Sequence, residues 1–165
     1  MAGKFYEVRD SLNEIRSDIG KRIVSLDILV GVFDIIIEAT ADTPEDFFRD
    51  ILRRIIEIPQ ISNITTFTVI RPSPYRRETE APLTGYIFVS AVPQRSVEVQ
   101  DRLSQLPDVV SVDLLLGTYD ILLKTTAPVH TLPDYIDELQ KVVEGGIKRS
   151  TTCMPVEIVR RLRAV

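Results

Sequence analysis

The second half of the chain alternates between strand-like and helix-like hydrophobic patterns. Four segments are rich in β-branched, aliphatic and aromatic residues and are predicted strands: 85–92, 109–117, 119–127 and 148–159. Two segments carry apolar residues three and four positions apart and are predicted helices: 96–106 and 131–145. The predicted order of elements in this half is therefore β-α-β-β-α-β.

The first half shows the same order from its first helix onward. Apolar residues at spacings of three and four predict a helix over about 4–19, and a second helix is predicted to begin at Thr43-Pro44. The second helix is predicted to bury four side chains: Phe48, Ile51, Leu52 and Ile55. A last strand is predicted over about 61–70.

An internal repeat relates the two halves. At a shift of 86 residues, 23–41 aligns with 109–127 without a gap, and nine of the 19 positions are identical. Both copies contain an apolar run that is interrupted by a glycine and, three positions later, an aspartate: Gly31 and Asp34, Gly117 and Asp120. The same shift places Ile61, Thr65 and Thr66 on Ile147, Thr151 and Thr152. We interpret this similarity as a duplication.

The segment 72–83 separates the copies and has the composition of a linker, with proline, charged residues and little apolar content. The predicted domains are therefore 1–71 and 84–165. The fold class predicted is α+β, with tandem ferredoxin-like βαββαβ units.

The opening strand of the second copy has no clear counterpart in the first copy. In this fold that strand is central, so a unit without it leaves neighbouring backbone groups unpaired. The tail 156–165 or a segment of another chain is a candidate to cover them. A short opening strand at 4–8 is the alternative.

Composition excludes several classes of site. The net charge is −4, which is not the basic footprint of a nucleic-acid-binding protein. The single Cys153 and the single His130 exclude an internal disulfide and multi-Cys or multi-His metal centres. We expect a cytoplasmic protein with no membrane segment, no metal and no cofactor.

The repeated hairpin is the candidate site. A glycine between strong strands supplies a positive φ or a close backbone approach, and its exposed N–H groups suit a carboxylate. The aspartate that follows accepts from those groups or from a ligand ammonium, and threonine hydroxyls both donate and accept. The candidate residues are Gly31, Phe33, Asp34, Thr65, Thr66, Gly117, Thr118, Tyr119, Asp120, Thr151 and Thr152. In the structural alternative, the glycines shape the turn, the aspartates brace it and the threonines are ordinary strand residues.

The chain resembles the effector-binding domain of the Lrp/AsnC transcription regulators, also called the regulation-of-amino-acid-metabolism domain. The resemblance rests on Gly-x-aromatic-Asp in the hairpin and Thr-Thr at the last strand, each present in both copies. It implies sheets packed as a pseudo-dimer, assembly into larger oligomers, and a small effector, often an amino acid, bound near the hairpin turn. The helix-turn-helix of that family has no counterpart in this sequence, so no direct DNA binding is expected.

We therefore expect a non-enzymatic module for small-molecule sensing, with an amino acid as its effector. It is expected to form homo-oligomers and to act on a partner such as a full-length regulator of the same family. Phe33 lacks the hydroxyl of Tyr119, so two equivalent sites are not expected. A purely structural assembly module is the first alternative, and an enzyme of the dimeric α+β-barrel type is the second.

Overall fold

The sequence patterns appear as strands and helices in a computed structural model, which describes residues 2–156. The strands are β1 Ile23–Val30, β2 Ile35–Ala39, β3 Thr68–Arg71, β4 Gly85–Ala91, β5 Val109–Leu116, β6 Ile121–Thr125 and β7 Ile147–Pro155. The helices are α1 Ala2–Ile19, α2 Pro44–Phe47, α3 Arg53–Ile56, α4 Ser96–Leu103 and α5 Leu132–Val142. A π-helical segment, Phe48–Leu52, joins α2 to α3.

The strands are hydrogen-bonded in the order β2-β1-β7-β4-β6-β5-β3, in an antiparallel sheet. The α+β class is therefore confirmed. Within residues 2–156, no helix combines the length and apolar character needed to span a membrane.

The chain divides into two compact units at positions that differ from the predicted domain edges. Unit 1 contains the residues up to Asp27 together with Ile35–Thr65, and unit 2 contains Ile28–Asp34 together with the residues from Thr66 onward. The turn of the first hairpin and β3 thus belong to unit 2, although they come from the first copy of the repeat.

Unit 2 contains the complete second copy. Its elements follow the order β4-α4-β5-β6-α5-β7, with the strands arranged as β7-β4-β6-β5. Alternate strand residues such as Ile87, Val89 and Leu123 are fully buried, where they join α4 and α5 in one apolar core. This copy has the βαββαβ order that the sequence predicts, whereas the packing of two such units as a pseudo-dimer stays a prediction.

Two strand pairings in unit 2 are equivalent under the repeat. Leu29 pairs with Pro155 and Val30 with Met154, which joins β1 to β7. Adding or subtracting 86 turns these pairs into Leu115 with Val69 and Leu116 with Thr68, which join β5 to β3. Each copy therefore pairs its first hairpin with the last strand of the other copy, in the same register.

Unit 1 contains the two helical regions of the first copy, which pack in one core. Val8, Leu12 and Ile15 from α1 pack with Ile51 and Ile55 from the second helical region, as predicted. In residues 2–156 no strand precedes α1 and none pairs with the outer edge of β2. The coverage predicted from the tail falls almost wholly on 157–165, outside the described residues.

Two sequence predictions for the first copy are wrong. Residues 61–67 are not a strand, and β3 begins only at Thr68, where β5 supplies hydrogen-bond partners. Phe48 is 55% exposed rather than buried. It lies in the π-helical segment, whose wider turn changes which positions face the core.

Gln100 fixes the chain that leaves β3. This side chain is fully buried on α4. Its Nε2 donates to the carbonyl oxygens of Arg71 at 3.1 Å and Val112 at 2.7 Å, and its Oε1 accepts from the Arg71 guanidinium at 2.6 Å. A buried amide that satisfies several backbone groups is a strong positional constraint.

The beginning of the segment predicted as a linker is also fixed. Ser73 N–H donates to Asp113 Oδ1 at 2.8 Å, and Arg77 N–H donates to Val110 O at 2.9 Å. Asp113 is buried, and its Oδ2 lies 3.6 Å from the Arg76 guanidinium. The start of 72–83 is thus held against β5.

We predict that Gln100→Ala lowers the free energy of unfolding by about 2–4 kcal/mol, because it creates a cavity and leaves buried carbonyls unpaired. Urea denaturation measures this change. Gln105→Ala, at an exposed position, is the control and should stay within about 0.5 kcal/mol of the parent. Equal effects of the two substitutions would contradict the role assigned to Gln100.

A second prediction concerns Tyr135, on the buried face of α5. Burial raises its pKa to about 12, from an ordinary value of 10.0. As pH rises, Tyr135 therefore ionises in the unfolded state before it ionises in the folded state. Its contribution to the free energy of unfolding is fully present below pH 10 and is lost as pH rises through the folded pKa. In thermal melts, Tyr135→Phe should flatten this decline, whereas Tyr75→Phe, at an exposed residue, should leave it unchanged.

Candidate functional site

The two hairpin glycines allow close packing that no other residue permits. Gly31 has φ +154°, and a Cβ placed on it would lie 2.6 Å from Cys153 Sγ. A Cβ on Gly117 would lie 2.5 Å from Cδ1 of Phe67. At the shift of 86, Phe67 is the counterpart of Cys153. Each glycine thus packs against the equivalent residue of the other copy.

This close approach assembles an aromatic cluster, which we define as Phe33, Phe67, Phe88 and Tyr119. The shortest centroid distance, 4.8 Å, joins Phe33 to Phe88, and the Phe88–Tyr119 distance is 5.4 Å. Every pair of the four rings lies within 6.4 Å. Phe33 and Tyr119 are equivalent under the repeat, so the two hairpins meet in one cluster within unit 2. Phe88 is buried, and the other three rings are half-buried.

Polar groups lie at the Tyr119 side of the cluster. The Tyr119 hydroxyl donates to Thr151 Oγ1 at 3.4 Å. The guanidinium of Arg149 lies 5.5 Å from the centroid of the Tyr119 ring, in cation–π geometry. Arg149 and Thr151 are two residues apart on β7, so both side chains lie on the cluster face. A cation, two hydroxyls and an aromatic surface therefore converge here.

The two predicted aspartates differ in their surroundings. Asp120 Oδ2 accepts from Ala91 N–H at 2.8 Å, and Asp120 N–H donates to Val89 O at 2.9 Å. This carboxylate braces β6 against the end of β4, as the structural alternative requires. Asp34 is exposed. The backbone carbonyls of the two aspartates accept equivalent hydrogen bonds. Asp120 O accepts from Leu115 N–H at 2.8 Å, and Asp34 O accepts from Leu29 N–H at 2.7 Å.

The threonines predicted for the site do not converge on one surface. Thr152 pairs with buried Ile87 and lies on the helix side of β7, opposite to Thr151. Its Oγ1 is buried without a hydrogen-bond partner. Thr66 is exposed outside any strand of unit 2, and Thr65 is exposed in unit 1. The structure therefore brings together Phe33, Tyr119 and Thr151, with Gly31, Gly117 and exposed Thr118 in the turns.

Exposed aliphatic side chains surround the same strands and turns. We call this set the aliphatic rim: Val30, Val32, Val69, Ile70 and Leu116. Val32 is 60% exposed and Leu116 is 65% exposed. Several exposed aliphatic residues on neighbouring elements are candidates for a protein–protein contact.

Sequence reasoning missed Phe67, Phe88 and Arg149. Arg149 was detectable, because it precedes Thr151 by two residues on a predicted strand and so shares its face. Phe67 was also detectable as the repeat counterpart of Cys153. Phe88 gave no signal, since an aromatic residue in a buried strand is ordinary core.

Other candidate groups have structural surroundings. Cys153 is a free cysteine, fully buried on β7. His130 is exposed in the turn before α5. Among residues 2–156 no cluster of His, Cys, Asp or Glu side chains suits a metal ion.

Unit 1 carries an arginine-lined cavity of about 280 Å³ beside Ile19. Each guanidinium there is already paired. Arg22 pairs with Asp50, Arg49 with Asp50 at 2.7 Å, and Arg54 with Asp18 at 2.5 Å. The hydrogen bond and charge of Arg49 lower the pKa of Asp50. This network joins α1 to the second helical region.

We predict that Gly117→Ala destabilises unit 2 by about 2 kcal/mol or more, because its Cβ forces the Phe67 ring aside. Gly145→Ala is the control, since Gly145 has φ +76° and open space around its Cβ. It should cost only about 1 kcal/mol of backbone strain. Chemical denaturation followed by tyrosine fluorescence measures both, and a smaller loss for Gly117→Ala would contradict the packing role.

Comparisons with known proteins do not assign a family. No family model matches the sequence, and no curated protein matches it. A solved structure described as a major regulator of staphylococcal pathogenesis is similar over 87% of this chain and 91% of its own, with 11% identity and a TM-score of 0.42. A similarity of this size supports no conclusion about function, so the resemblance to the Lrp/AsnC family stays a prediction.

Proposed function

We propose that this protein is a non-enzymatic, effector-responsive assembly module. The observation that supports this function is the meeting of both hairpins in one aromatic cluster that carries Arg149, Tyr119 and Thr151 on one side. Exposed aliphatic residues around the same hairpins offer a surface for association with a second copy or with a related regulator.

The effector class proposed is an α-amino acid. Its carboxylate pairs with the Arg149 guanidinium, which is exposed on β7. Its ammonium group donates to the oxygens of Tyr119 and Thr151, and its side chain packs on the cluster rings. Asp120 has a structural role in this proposal, since its Oδ2 accepts a hydrogen bond from Ala91 N–H.

The proposed mechanism is a population shift. An effector that also contacts the aliphatic rim of a second chain binds the associated form more tightly than the single chain, so it increases the fraction of associated chains. Within one chain, the reciprocal pairing of β1 with β7 and of β5 with β3 accompanies the meeting of both hairpins in the cluster.

A purely structural assembly module is the second candidate. The aliphatic rim favours it, since exposed Val32, Ile70 and Leu116 provide an apolar contact surface without any effector. In that case association is independent of small molecules.

A thermal-shift screen of the twenty amino acids tests the proposal. At about 100 times its dissociation constant, the effector should raise the melting temperature by roughly 5–10 °C. Light scattering should show a larger mean mass in its presence. Flat melting temperatures across the screen, with unchanged mass, would remove the sensing function and leave the structural module.

Matched substitutions locate the response. Arg149→Gln should weaken effector binding about 10- to 100-fold, because it removes a charge-assisted hydrogen bond. Lys148→Gln removes the same charge at the neighbouring exposed residue and should bind like the parent. Tyr119→Phe, which copies Phe33, should weaken binding several-fold. Equal binding by the Arg149 and Lys148 variants would exclude this site.

A further inference from the structure

The arginine-lined cavity of unit 1 offers more hydrogen-bond donors than its partners use. Arg22, Arg49 and Arg54 line it, together with the carboxylate of Asp50. Arg22 donates to Asp50 through Nη1, and Arg54 donates to Asp18 through Nη2. A guanidinium carries five N–H groups in a planar fork. Among the side chains that the structure describes, Arg22 and Arg54 therefore keep N–H groups for a further acceptor.

The second helical region departs from an α-helix where it borders this cavity. The π-helical segment Phe48–Leu52 contains Arg49 and Asp50. At the shift of 86 its counterpart is 134–138, which lies wholly within the α-helix α5. π-Helical turns are rare and occur frequently at functional sites. The irregular turn of the first copy thus coincides with the cavity lining.

The repeat shows that this place in the fold does not require arginines. None of the three arginine positions carries a cation in the second copy, where the residues are Asp108, Tyr135 and Gln140. Unit 2 packs its second helix through an apolar core, with Tyr135 and Leu139 buried. Packing alone therefore does not explain why three arginines converge in the first copy.

The carboxylates around the cavity hold the arginines weakly. The side chains of Arg22 and Arg54 are 38% and 35% exposed, and that of Asp18 is 62% exposed. Ion pairs between groups of this exposure contribute little, because water competes for both partners and salt screens them. An anion with more acceptor oxygens can therefore replace Asp18 beside Arg54. Asp50 orients the guanidiniums of Arg22 and Arg49, since both donate to it.

We propose that this cavity binds the phosphate group of a small molecule. A phosphate carries a charge of about −1.5 to −2 at pH 7 and three acceptor oxygens. Arginine suits this ligand, because its planar fork donates two parallel hydrogen bonds to phosphate oxygens. A carboxylate has less charge and only two oxygens, so it matches three guanidiniums less well. The volume of about 280 Å³ lies near the lower end for small-molecule sites and favours a small phosphorylated metabolite.

The bound phosphate has a structural consequence for unit 1. Arg22 follows α1 in the chain and Arg54 lies on α3, so a phosphate held by both links α1 to the second helical region. Three aspartates already balance the charges of the three arginines: Asp18, Asp46 and Asp50. The affinity therefore comes from the unused N–H groups, and it should increase when one of these carboxylates is removed.

Isothermal titration calorimetry of the full chain with pyrophosphate, at constant ionic strength, tests the proposal. The parent should bind with a dissociation constant of about 1 mM or tighter. Arg54→Gln should weaken binding about 10-fold or more, because a charge-assisted hydrogen bond is lost. Arg53→Gln is the control, since the adjacent Arg53 pairs with Glu57 and does not line the cavity. Absence of binding by the parent, or equal losses in the two variants, overturns the proposal.

A substitution that should strengthen binding provides a test that does not depend on weakened folding. Asp18→Asn frees the Arg54 guanidinium and removes a negative charge, so pyrophosphate should bind about 3- to 10-fold more tightly. Asp10→Asn removes an exposed carboxylate of the same helix that pairs with Arg9, and it should bind like the parent. Equal affinities of the two variants overturn the assignment of the site.

Hydrogen exchange reports the consequence for unit 1. With pyrophosphate at ten times its dissociation constant, the amides of α1 should exchange about 10-fold more slowly than without it. Unchanged exchange overturns the link between the two helical regions. Tighter binding of a single-stranded oligonucleotide than of pyrophosphate, with the same loss in Arg54→Gln, overturns the assignment to a small molecule. These titrations concern unit 1 and the amino-acid screen concerns unit 2, so the two proposals fail independently.

Discussion

Contact between a bare glycine backbone and the last strand of the opposite copy is the constraint on which the rest of unit 2 depends. Gly31 meets Cys153 and Gly117 meets Phe67 at distances that leave no room for a β-carbon. Because of this contact, Leu29 pairs with Pro155 and the two hairpins lie close enough for their aromatic rings to touch. The aromatic cluster, the polar groups beside it and the pairing of the strands therefore all depend on the close approach at these two turns.

The second consequence is an unequal distribution of stability. Unit 2 has a complete set of paired strands and fully buried core positions, while unit 1 relies on α1 and the second helical region to cover two strands. Segments with few buried apolar contacts and exposed backbone hydrogen bonds open at lower free energy. Unit 1 is therefore expected to open at a lower free energy than unit 2.

Much of this arrangement was readable from sequence. The repeat, the βαββαβ order of the second copy, the core positions of α1 and the turn-forming glycines all depend on local pattern. The two wrong predictions concern segments whose structure depends on residues that are distant in sequence. Residues 61–67 have strand-forming side chains, but no strand within residues 2–156 pairs with them. Phe48 is exposed because a π-helical turn changes the direction of its side chain.

The positions of the predicted site residues also depend on tertiary structure. Thr151 and Thr152 are adjacent in sequence, yet a strand directs them to opposite faces, so only Thr151 reaches the cluster. Arg149 shares the face of Thr151 on β7, and the pairing of β7 with β4 brings its guanidinium over the Tyr119 ring. The fixed start of the segment 72–83 likewise depends on Gln100 and Asp113, whose roles as buried hydrogen-bond partners are invisible to composition.

Fusion of the two copies has a consequence that a symmetric pair lacks. In a homodimer, a mutation at the position of Tyr119 would change both halves of the interface at once. Here the first hairpin carries Phe33 where the second carries Tyr119. The last strands likewise differ, with Cys153 in the second copy and Phe67 in the first. The two halves are therefore free to diverge independently. A small molecule that contacts both hairpins would meet different side chains at its two ends, so the surface can distinguish one end from the other.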